Sequence, residues 1–181
     1  MRPRSFVSLA LVPFLAAAWL TAADAPLARP QDPLRALVGT SFTARVVSVV
    51  DGDTVDVVRS GVTARVRVRL EGIDSPESGE PFSQAARTRT RVLAFAKDVR
   101  VEGRDVDRYG RLVARIIITD GSSPADLSVA LVAAGLACHY RFYTADPAIA
   151  RAETEARAAA RGFWARGASK PSCVGRNAGR P

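Results

Sequence analysis

The sequence is poor in histidine and cysteine, with one histidine and two cysteines among 181 residues. A single histidine excludes metal sites built from histidine clusters, and two cysteines are too few for a four-cysteine zinc site or a disulfide-built miniprotein. After residue 20 no apolar run is long enough to span a bilayer, which excludes a polytopic membrane protein. The remaining composition, 48% hydrophobic and 24% charged, is typical of an ordinary globular domain.

Acidic residues are outnumbered by basic ones. Lysine and arginine total 26 against 18 aspartate and glutamate residues, which gives a formal charge of +8, carried almost entirely by arginine. A surface of this sign favours polyanionic partners, and nucleic acid, anionic lipid and acidic protein all qualify.

The amino terminus has the layout of a secretory signal peptide. Arg2 and Arg4 provide positive charge, residues 6–20 contain no charged side chain, and the small residues Thr21, Ala22 and Ala23 follow. We expect residues 1–23 to be a signal peptide cleaved after Ala23, which makes the protein secreted or periplasmic. An uncleaved membrane anchor is the alternative.

Export places the two cysteines in an oxidising compartment. A lone pair of cysteines tends to form a disulfide there, so we predict a bridge between Cys138 and Cys173. Two unlinked thiols are the alternative.

The remainder of the chain is predicted to form one domain. We interpret residues 24–40 as a linker, 41–168 as the domain and 169–181 as a carboxyl-terminal tail. Alternating or β-branched segments predict strands at 42–50, 54–58, 62–70, 98–104 and 112–119. Helical periodicity predicts helices at 81–97, 126–136 and 147–161. This order favours a mainly β, α+β fold: a five-stranded OB-type barrel with three helices. An open α+β sheet is the alternative.

Acidic residues follow the ends of two predicted strands. Asp53 shares strand parity with Val55, so its carboxylate is expected to face the core, where an unpaired charge is costly and a metal cation is a suitable partner. Asp74 follows the third strand, and together Asp53 and Asp74 offer the oxygen ligands that Ca²⁺ or Mg²⁺ prefers. Glu77, beyond Pro76, would then be free to act on a water molecule.

Two arginines accompany these acids. Arg69 ends the third strand, and Arg111 follows a turn, Asp107-Arg108-Tyr109-Gly110, at the start of another strand. A cation and guanidinium groups neutralise the charge that develops on a phosphodiester during cleavage, while a carboxylate accepts the proton of the attacking water. The combination therefore points to metal-assisted phosphodiester cleavage.

Three motifs in this order strongly resemble the staphylococcal nuclease-like (thermonuclease) family: Asp-Gly-Asp-Thr from residue 51, Arg-Leu-Glu-Gly-Ile-Asp-Ser-Pro-Glu from residue 69, and Asp-Arg-Tyr-Gly-Arg from residue 107. The resemblance spans about residues 41–164. It implies an OB-fold nuclease that uses one Ca²⁺ ion to cut DNA and RNA and leaves 3′-phosphates. We expect a monomer without a stable protein partner, with the membrane involved only through the leader.

The resemblance also implies a role for each matching residue. Metal ligands would be Asp53, Asp74 and the backbone carbonyl of Ser75; the general base would be Glu77; the phosphate-binding arginines would be Arg69 and Arg111; Asp51 would support the metal ligands; and Arg108, Tyr109 and Tyr143 would bind substrate. Arg141 departs from the family, because it stands where the founding member has a second tyrosine, and Tyr140 nearby either stacks on a base or packs in the core.

Two other function classes stay open. The basic charge also suits a non-catalytic OB-fold module that binds nucleic acid or an acidic partner, and the apolar leader suits a cell-envelope interaction domain. Five further arginines either follow a phosphate backbone or form solvated faces: Arg65, Arg67, Arg87, Arg89 and Arg91.

Overall fold

The structure is a computed structural model that describes residues 33–121 and 123–178. The predicted signal peptide and residues 24–32 of the predicted linker lie outside the described residues. Within these limits no helix combines the length and hydrophobicity needed to cross a bilayer.

Five strands form a closed barrel. They are β1 (Ser41–Val49), β2 (Thr54–Arg59), β3 (Arg65–Leu70), β5 (Asp98–Val106) and β6 (Leu112–Ile118), while three two-residue strands, β4 (Ile73–Asp74), β7 (Ala125–Asp126) and β8 (Cys138–His139), lie outside it. The barrel order is β3-β2-β1-β5-β6, all antiparallel, and a parallel pairing of β6 with β3 closes it. Buried valine, leucine and isoleucine side chains of all five strands fill the core. The predicted five-stranded OB barrel is confirmed, and the open sheet is excluded.

Strand β3 is shorter than its alternating sequence predicts. The pattern starts at Val62, whereas pairing with β2 begins at Arg65, opposite Val58. Gly61 has a φ of +78°, and the Val62 N–H donates to the carbonyl of Arg59 at 3.1 Å. The turn between the strands therefore uses residues that the periodicity alone assigns to the strand.

The three predicted helices are present with shorter bounds: α1 (Ser83–Ala94), α2 (Leu127–Ala133) and α3 (Pro147–Ala158). Helix α1 ends at Ala94, before the predicted end at residue 97, because the following backbone hydrogen-bonds to β1. The Ala96 N–H donates to the Val46 carbonyl at 2.9 Å. Asp126 and Asp146 cap the N-termini of α2 and α3 by accepting backbone N–H groups.

Two further segments add to the predicted architecture. A short helix, α4 (Ser172–Ala178), lies where a tail is predicted, and a disulfide joins its Cys173 to Cys138. Ahead of β1, a 3₁₀ turn at Arg35–Leu37 buries Leu37 against the barrel. Gly103 allows this approach, because a Cβ atom there would lie 2.2 Å from the Leu37 carbonyl oxygen.

Candidate active site

The buried Asp53 carboxylate lies at the start of β2. Asp53 is 3% exposed, and its Oδ2 accepts the Ser75 N–H at 2.8 Å. Its Oδ1 accepts the Thr54 hydroxyl at 3.1 Å and forms an ion pair with Arg69. Burial of a carboxylate is tolerated only where charge and hydrogen bonds compensate it, and Arg69 and the Ser75 amide provide both here.

The loop that carries Asp53 is held closely against helix α1 and Ser75. A Cβ atom on Gly52 would lie 2.7 Å from the Ser75 Cβ and 2.8 Å from the Ala86 Cβ, so only glycine fits without displacement. The buried Thr90 hydroxyl on α1 donates to the Gly52 carbonyl at 2.6 Å. Helix α1 therefore fixes the position of the acidic loop relative to Ser75.

Arg69 joins the two acidic segments. Besides its ion pair with Asp53, its Nη2 donates to the Ile73 carbonyl at 3.1 Å and lies 3.4 Å from Asp74 Oδ1. Asp74 is itself 7% exposed. Two buried carboxylates from different loops thus lie against one guanidinium at the end of β3.

The neighbouring carboxyls of Asp51 and Asp53 differ in acidity. Burial, followed by the charge of Asp53, raises the pKa of Asp51 to about 6. Burial also raises the pKa of Asp53, but Arg69 and the Ser75 N–H outweigh it and leave that pKa below its ordinary value. Asp53 is therefore ionised at neutral pH, while Asp51, whose Oδ1 accepts the Asp53 N–H at 3.0 Å, holds a proton more readily.

The segment that carries Asp74 and Glu77 is attached to the carboxyl-terminal part of the chain. Asp74 pairs with Cys138 in the two-stranded sheet of β4 and β8, and Cys138 is bonded to Cys173 at the start of α4. Glu77 is exposed, and its backbone N–H donates to Glu80 Oε2 at 2.9 Å. The other oxygen of Glu80 accepts the Ser172 N–H at 3.2 Å, so Glu80 connects the Glu77 loop to α4.

Arg111 lies directly before β6, in a turn organised by Asp107. The Asp107 carboxylate accepts the backbone N–H groups of Tyr109 and Arg111, each at 2.9 Å, and the Arg111 Nε at 2.7 Å. These hydrogen bonds and the charge of Arg111 outweigh burial and lower the pKa of Asp107. Gly110 takes the positive φ of +72° that this turn requires.

Exposed aromatic side chains border the Arg111 turn. Tyr109 is 67% exposed and Tyr143 is 70% exposed. Arg108 donates to the Tyr109 hydroxyl at 2.7 Å, which raises the pKa of Arg108, and Tyr143 adds a smaller electrostatic contribution. Tyr140 packs against Tyr143, with ring centroids 5.0 Å apart. The turn and the loop after β8 therefore form one basic and aromatic surface.

The structure brings Asp53, Asp74, Ser75 and Arg69 together, with Asp51 beside them. Arg111 and Tyr109 lie on the adjoining turn, and Glu77 lies on the exposed segment after Ser75. His139 has a structural role, because it is buried and its Nε2 contacts the Thr144 carbonyl at 2.9 Å. Within residues 33–121 and 123–178, no three histidine, cysteine, aspartate or glutamate side chains form a metal-binding cluster.

Sequence reasoning did not identify two residues that organise this site. Asp107 lies inside a recognised motif, and the backbone N–H groups that follow it in the turn are the signal that would have shown its role. Glu80 has no such signal, because its partner Ser172 is 92 residues away. The catalytic, metal-binding and substrate-binding roles expected from the sequence stay predictions.

A closed five-stranded barrel, with two buried carboxylates beside an arginine at the end of β3, defines the OB-fold class of protein. Comparison with known families agrees with this class. The model of the family described as staphylococcal nuclease homologue matches residues 67–166, more than half of the chain, and the chain belongs to that family.

Curated relatives share most of this domain. A micrococcal nuclease of Shigella flexneri is 38% identical over 130 residues, which cover 68% of this chain and 74% of the relative. Protein ParB of Escherichia coli is 37% identical over 126 residues, covering 66% of this chain and 70% of the relative. An uncharacterized endonuclease of Escherichia coli O157:H7 is 36% identical over 120 residues, covering 66% and 75% respectively. The chain is thus a member of a nuclease family.

Proposed function

We propose that this protein is an exported, calcium-dependent endonuclease that hydrolyses phosphodiester bonds in DNA and RNA and leaves 3′-phosphates. The convergence of Asp53 and Asp74 on Arg69 is the observation that carries the proposal. It combines anionic oxygen ligands with a cationic phosphate-binding group in one place, as metal-assisted cleavage of an anionic ester requires. Membership of the nuclease family supports the same reaction class.

The donor chemistry of the site fits a hard divalent cation. Asp53 and Asp74 are carboxylates that contact the same guanidinium, so they lie close together, and Ser75, the residue after Asp74, would add its backbone carbonyl. Oxygen donors of this kind, with water in the remaining positions, suit Ca²⁺. When bound, the ion would polarise the phosphodiester and neutralise part of its developing charge.

The side chains have complementary roles in the proposed reaction. Glu77, on its exposed segment, accepts a proton from the attacking water. Arg69 and Arg111 donate hydrogen bonds to the phosphate oxygens, and their acid partners Asp53 and Asp107 hold both guanidinium groups in place before substrate arrives. The residues proposed to contact substrate are Arg108, Tyr109 and Tyr143, and their exposure supports this role.

The disulfide supports the proposed export. Cys138 and Cys173 are bonded and buried, and structural disulfides persist mainly in oxidising compartments such as the periplasm and the extracellular space. The proposed location therefore agrees with the leader-like pattern of residues 1–23.

One cleavage assay tests the proposed activity. Purified protein is incubated with labelled single-stranded DNA or RNA in Ca²⁺, in Mg²⁺ or in EDTA, and the products are resolved with and without phosphatase treatment. We expect cleavage in Ca²⁺, none in EDTA, and fragments whose 3′ ends carry phosphate.

The variant Glu77→Gln tests the role of the carboxylate. It should lower the cleavage rate by about 10²–10⁴-fold, since it removes a general base while keeping a similar shape. Glu155→Gln, which changes an exposed glutamate on α3, is the matched control and should cleave like the parent. Equal rates for Glu77→Gln and the parent would show that Glu77 is not the base. Salt-sensitive binding without cleavage in any divalent ion would instead support the non-catalytic binding module.

A further inference from the structure

Strand β3 carries a row of three arginines on one face. Val66, Val68 and Leu70 point into the core, so Arg65, Arg67 and Arg69 share the outer face. Alternate residues of a strand lie about 6.6 Å apart, which is comparable to the distance between successive phosphates of an extended polynucleotide strand. Arg69 is the member of the row at the candidate active site, and the other two lead away from it.

The outer part of this row lines a groove. Its walls are Asp56, Arg65, Arg67, Tyr109, Gly110 and Arg111, and its volume is about 400 Å³. The parallel pairing of Val68 with Leu112 places Arg111 beside Arg67 across the seam that closes the barrel. The groove therefore adjoins the turn that positions Arg111.

The charges of the groove favour an anionic strand. Asp56 is its only acidic lining residue, and the Asp56 side chain is 9% exposed because Arg67 covers it with contacts of 2.8 and 3.3 Å. Arg67 remains 53% exposed, and Arg65 is exposed as well. Asp56 thus orients Arg67, while three arginines line the groove: Arg65, Arg67 and Arg111.

We propose that this groove binds the phosphate backbone of a polynucleotide next to the cleaved bond, with Arg65 and Arg67 each contacting one flanking phosphate. The inference rests on the proposed nuclease function and deepens it, because it assigns a preference for long strands over dinucleotides. Regular arginine spacing beside an exposed aromatic ring suits a nucleic acid better than an acidic peptide.

Binding measurements on short and long ligands test the groove. Every protein carries Glu77→Gln so that the ligand is not consumed, and fluorescence anisotropy gives the Kd for a labelled dinucleotide and a labelled single-stranded dodecanucleotide at several salt concentrations. We expect Arg65→Ala/Arg67→Ala to weaken dodecanucleotide binding about tenfold and to reduce the slope of log Kd against log salt by about 1.4, since each lost phosphate contact accounts for about 0.7. Dinucleotide binding should stay within about twofold of the parent.

Two variants control for charge and folding. Arg45→Ala/Arg100→Ala removes two exposed strand arginines that pair with Asp98 and Glu102 outside the groove, and it should leave the preference for the longer ligand intact. Arg65→Ala alone leaves the Asp56–Arg67 pair in place, so it should reduce the slope by about 0.7 even if the double variant folds poorly.

Three results would overturn the groove assignment. Unchanged dodecanucleotide binding in both groove variants would do so, as would an equal loss for the two ligands. Polyglutamate that displaces the dodecanucleotide as effectively as unlabelled DNA would identify an acidic-peptide groove instead. If the protein with Glu77 intact cleaves nucleic acid but its Glu77→Gln form lacks a length preference, the groove alone fails. If the Glu77→Gln form shows the Arg65- and Arg67-dependent preference but the protein with Glu77 intact does not cleave, the groove stands and the proposed hydrolysis fails.

Discussion

Arg69 determines the electrostatic state of the candidate site. It contacts Asp53, Asp74 and the Ile73 carbonyl, and it is itself only 21% exposed. Its charge keeps Asp53 ionised although burial opposes ionisation. At Asp51, burial and the charge of Asp53 dominate, so the pKa of Asp51 rises to about 6. The nearer aspartate, Asp53, is thus charged at neutral pH, while its neighbour Asp51 binds a proton more readily.

Asp51 gives a pH-dependent prediction. Its folded-state pKa of about 6 exceeds the ordinary value of 3.8, so the folded protein binds more protons than the unfolded chain between these values. The Asp51 contribution to the free energy of unfolding therefore falls as pH rises from about 4 to 6. We expect Asp51→Asn to be more stable than the parent at pH 7, and the difference to disappear near pH 4.

Urea unfolding in EDTA at pH 4, 5, 6 and 7 measures this difference. Asparagine retains an oxygen that accepts the Asp53 N–H, so the comparison isolates the charge. Asp105→Asn, at an exposed position on β5, should show no corresponding trend. A constant stability difference at all four pH values would contradict the assignment.

At the scale of elements, short segments support the site. The barrel supplies Asp53 and Arg69, but Asp74 lies on β4, which has only two residues and pairs with the equally short β8. Two-residue strands contribute little stability of their own. The disulfide from β8 to α4, and the Glu80 contacts that join Ser172 to the Glu77 loop, provide the missing restraint.

Removal of the disulfide should therefore weaken the whole carboxyl-terminal support. Cys173→Ser opens a loop with a sequence separation of 35 residues. The chain-entropy relation gives a loss of about 3–4 kcal/mol in the free energy of unfolding for a loop of this size. Guanidinium unfolding with and without reductant measures it: reductant should lower parent stability to that of the variant and leave the variant unchanged. Equal stability of the parent in both conditions would show that the bridge adds nothing.

At the scale of the whole molecule, the barrel needs the segment that precedes it. Leu37 packs on the core, and the Gly39 N–H donates to the Gly103 carbonyl at 3.0 Å. This 3₁₀ turn packs against the barrel, although its sequence has no sustained periodicity. We therefore expect the folding unit to include residues ahead of β1, although the predicted domain begins at residue 41.

Truncation tests this boundary. A chain that begins at Pro33 keeps the turn, whereas one that begins at Ser41 loses the burial of Leu37 and the hydrogen bond to Gly103. We expect the shorter chain to be less stable by about 2–4 kcal/mol, in the range of other losses of a buried leucine, and Leu37→Ala in the longer chain to reproduce most of the effect. Thermal unfolding of the three proteins measures it, and equal Tm values would place the folding boundary at β1.

The barrel could be predicted from the sequence because apolar and polar residues alternate along its strands and recognisable turns separate them. The three helices were also predictable, with bounds that shift where Ala96 and Asp126 make tertiary or capping contacts. Helix α4 and the two-residue strands were not, since so short a segment has no periodicity and acquires its conformation from partners such as Cys138.

The candidate site, like the fold, was predictable only where local sequence motifs define it. Local motifs grouped Asp53, Asp74 and Arg69 because the sequence places all three next to predicted strand ends, and the structure brings both acids to Arg69 although Asp74 lies on β4, outside the barrel. The Ser75–Asp53 hydrogen bond and the Ser172–Glu80 contact join residues 22 and 92 positions apart, and no local pattern encodes them. The shift in the Asp51 pKa likewise depends on burial, which only the folded chain establishes.

The pairing of β4 with β8 has a consequence for the order of synthesis. A growing polypeptide emerges with its amino end first, so Asp53, Arg69 and Asp74 are all made well before Cys138, and Cys173 comes later still. The strand that holds Asp74 has no partner until the ribosome has passed residue 139. A nascent or prematurely terminated product would therefore carry the acidic motifs without the framework that aligns them, and the proposed cleavage activity would arise only after the ribosome has passed residue 173.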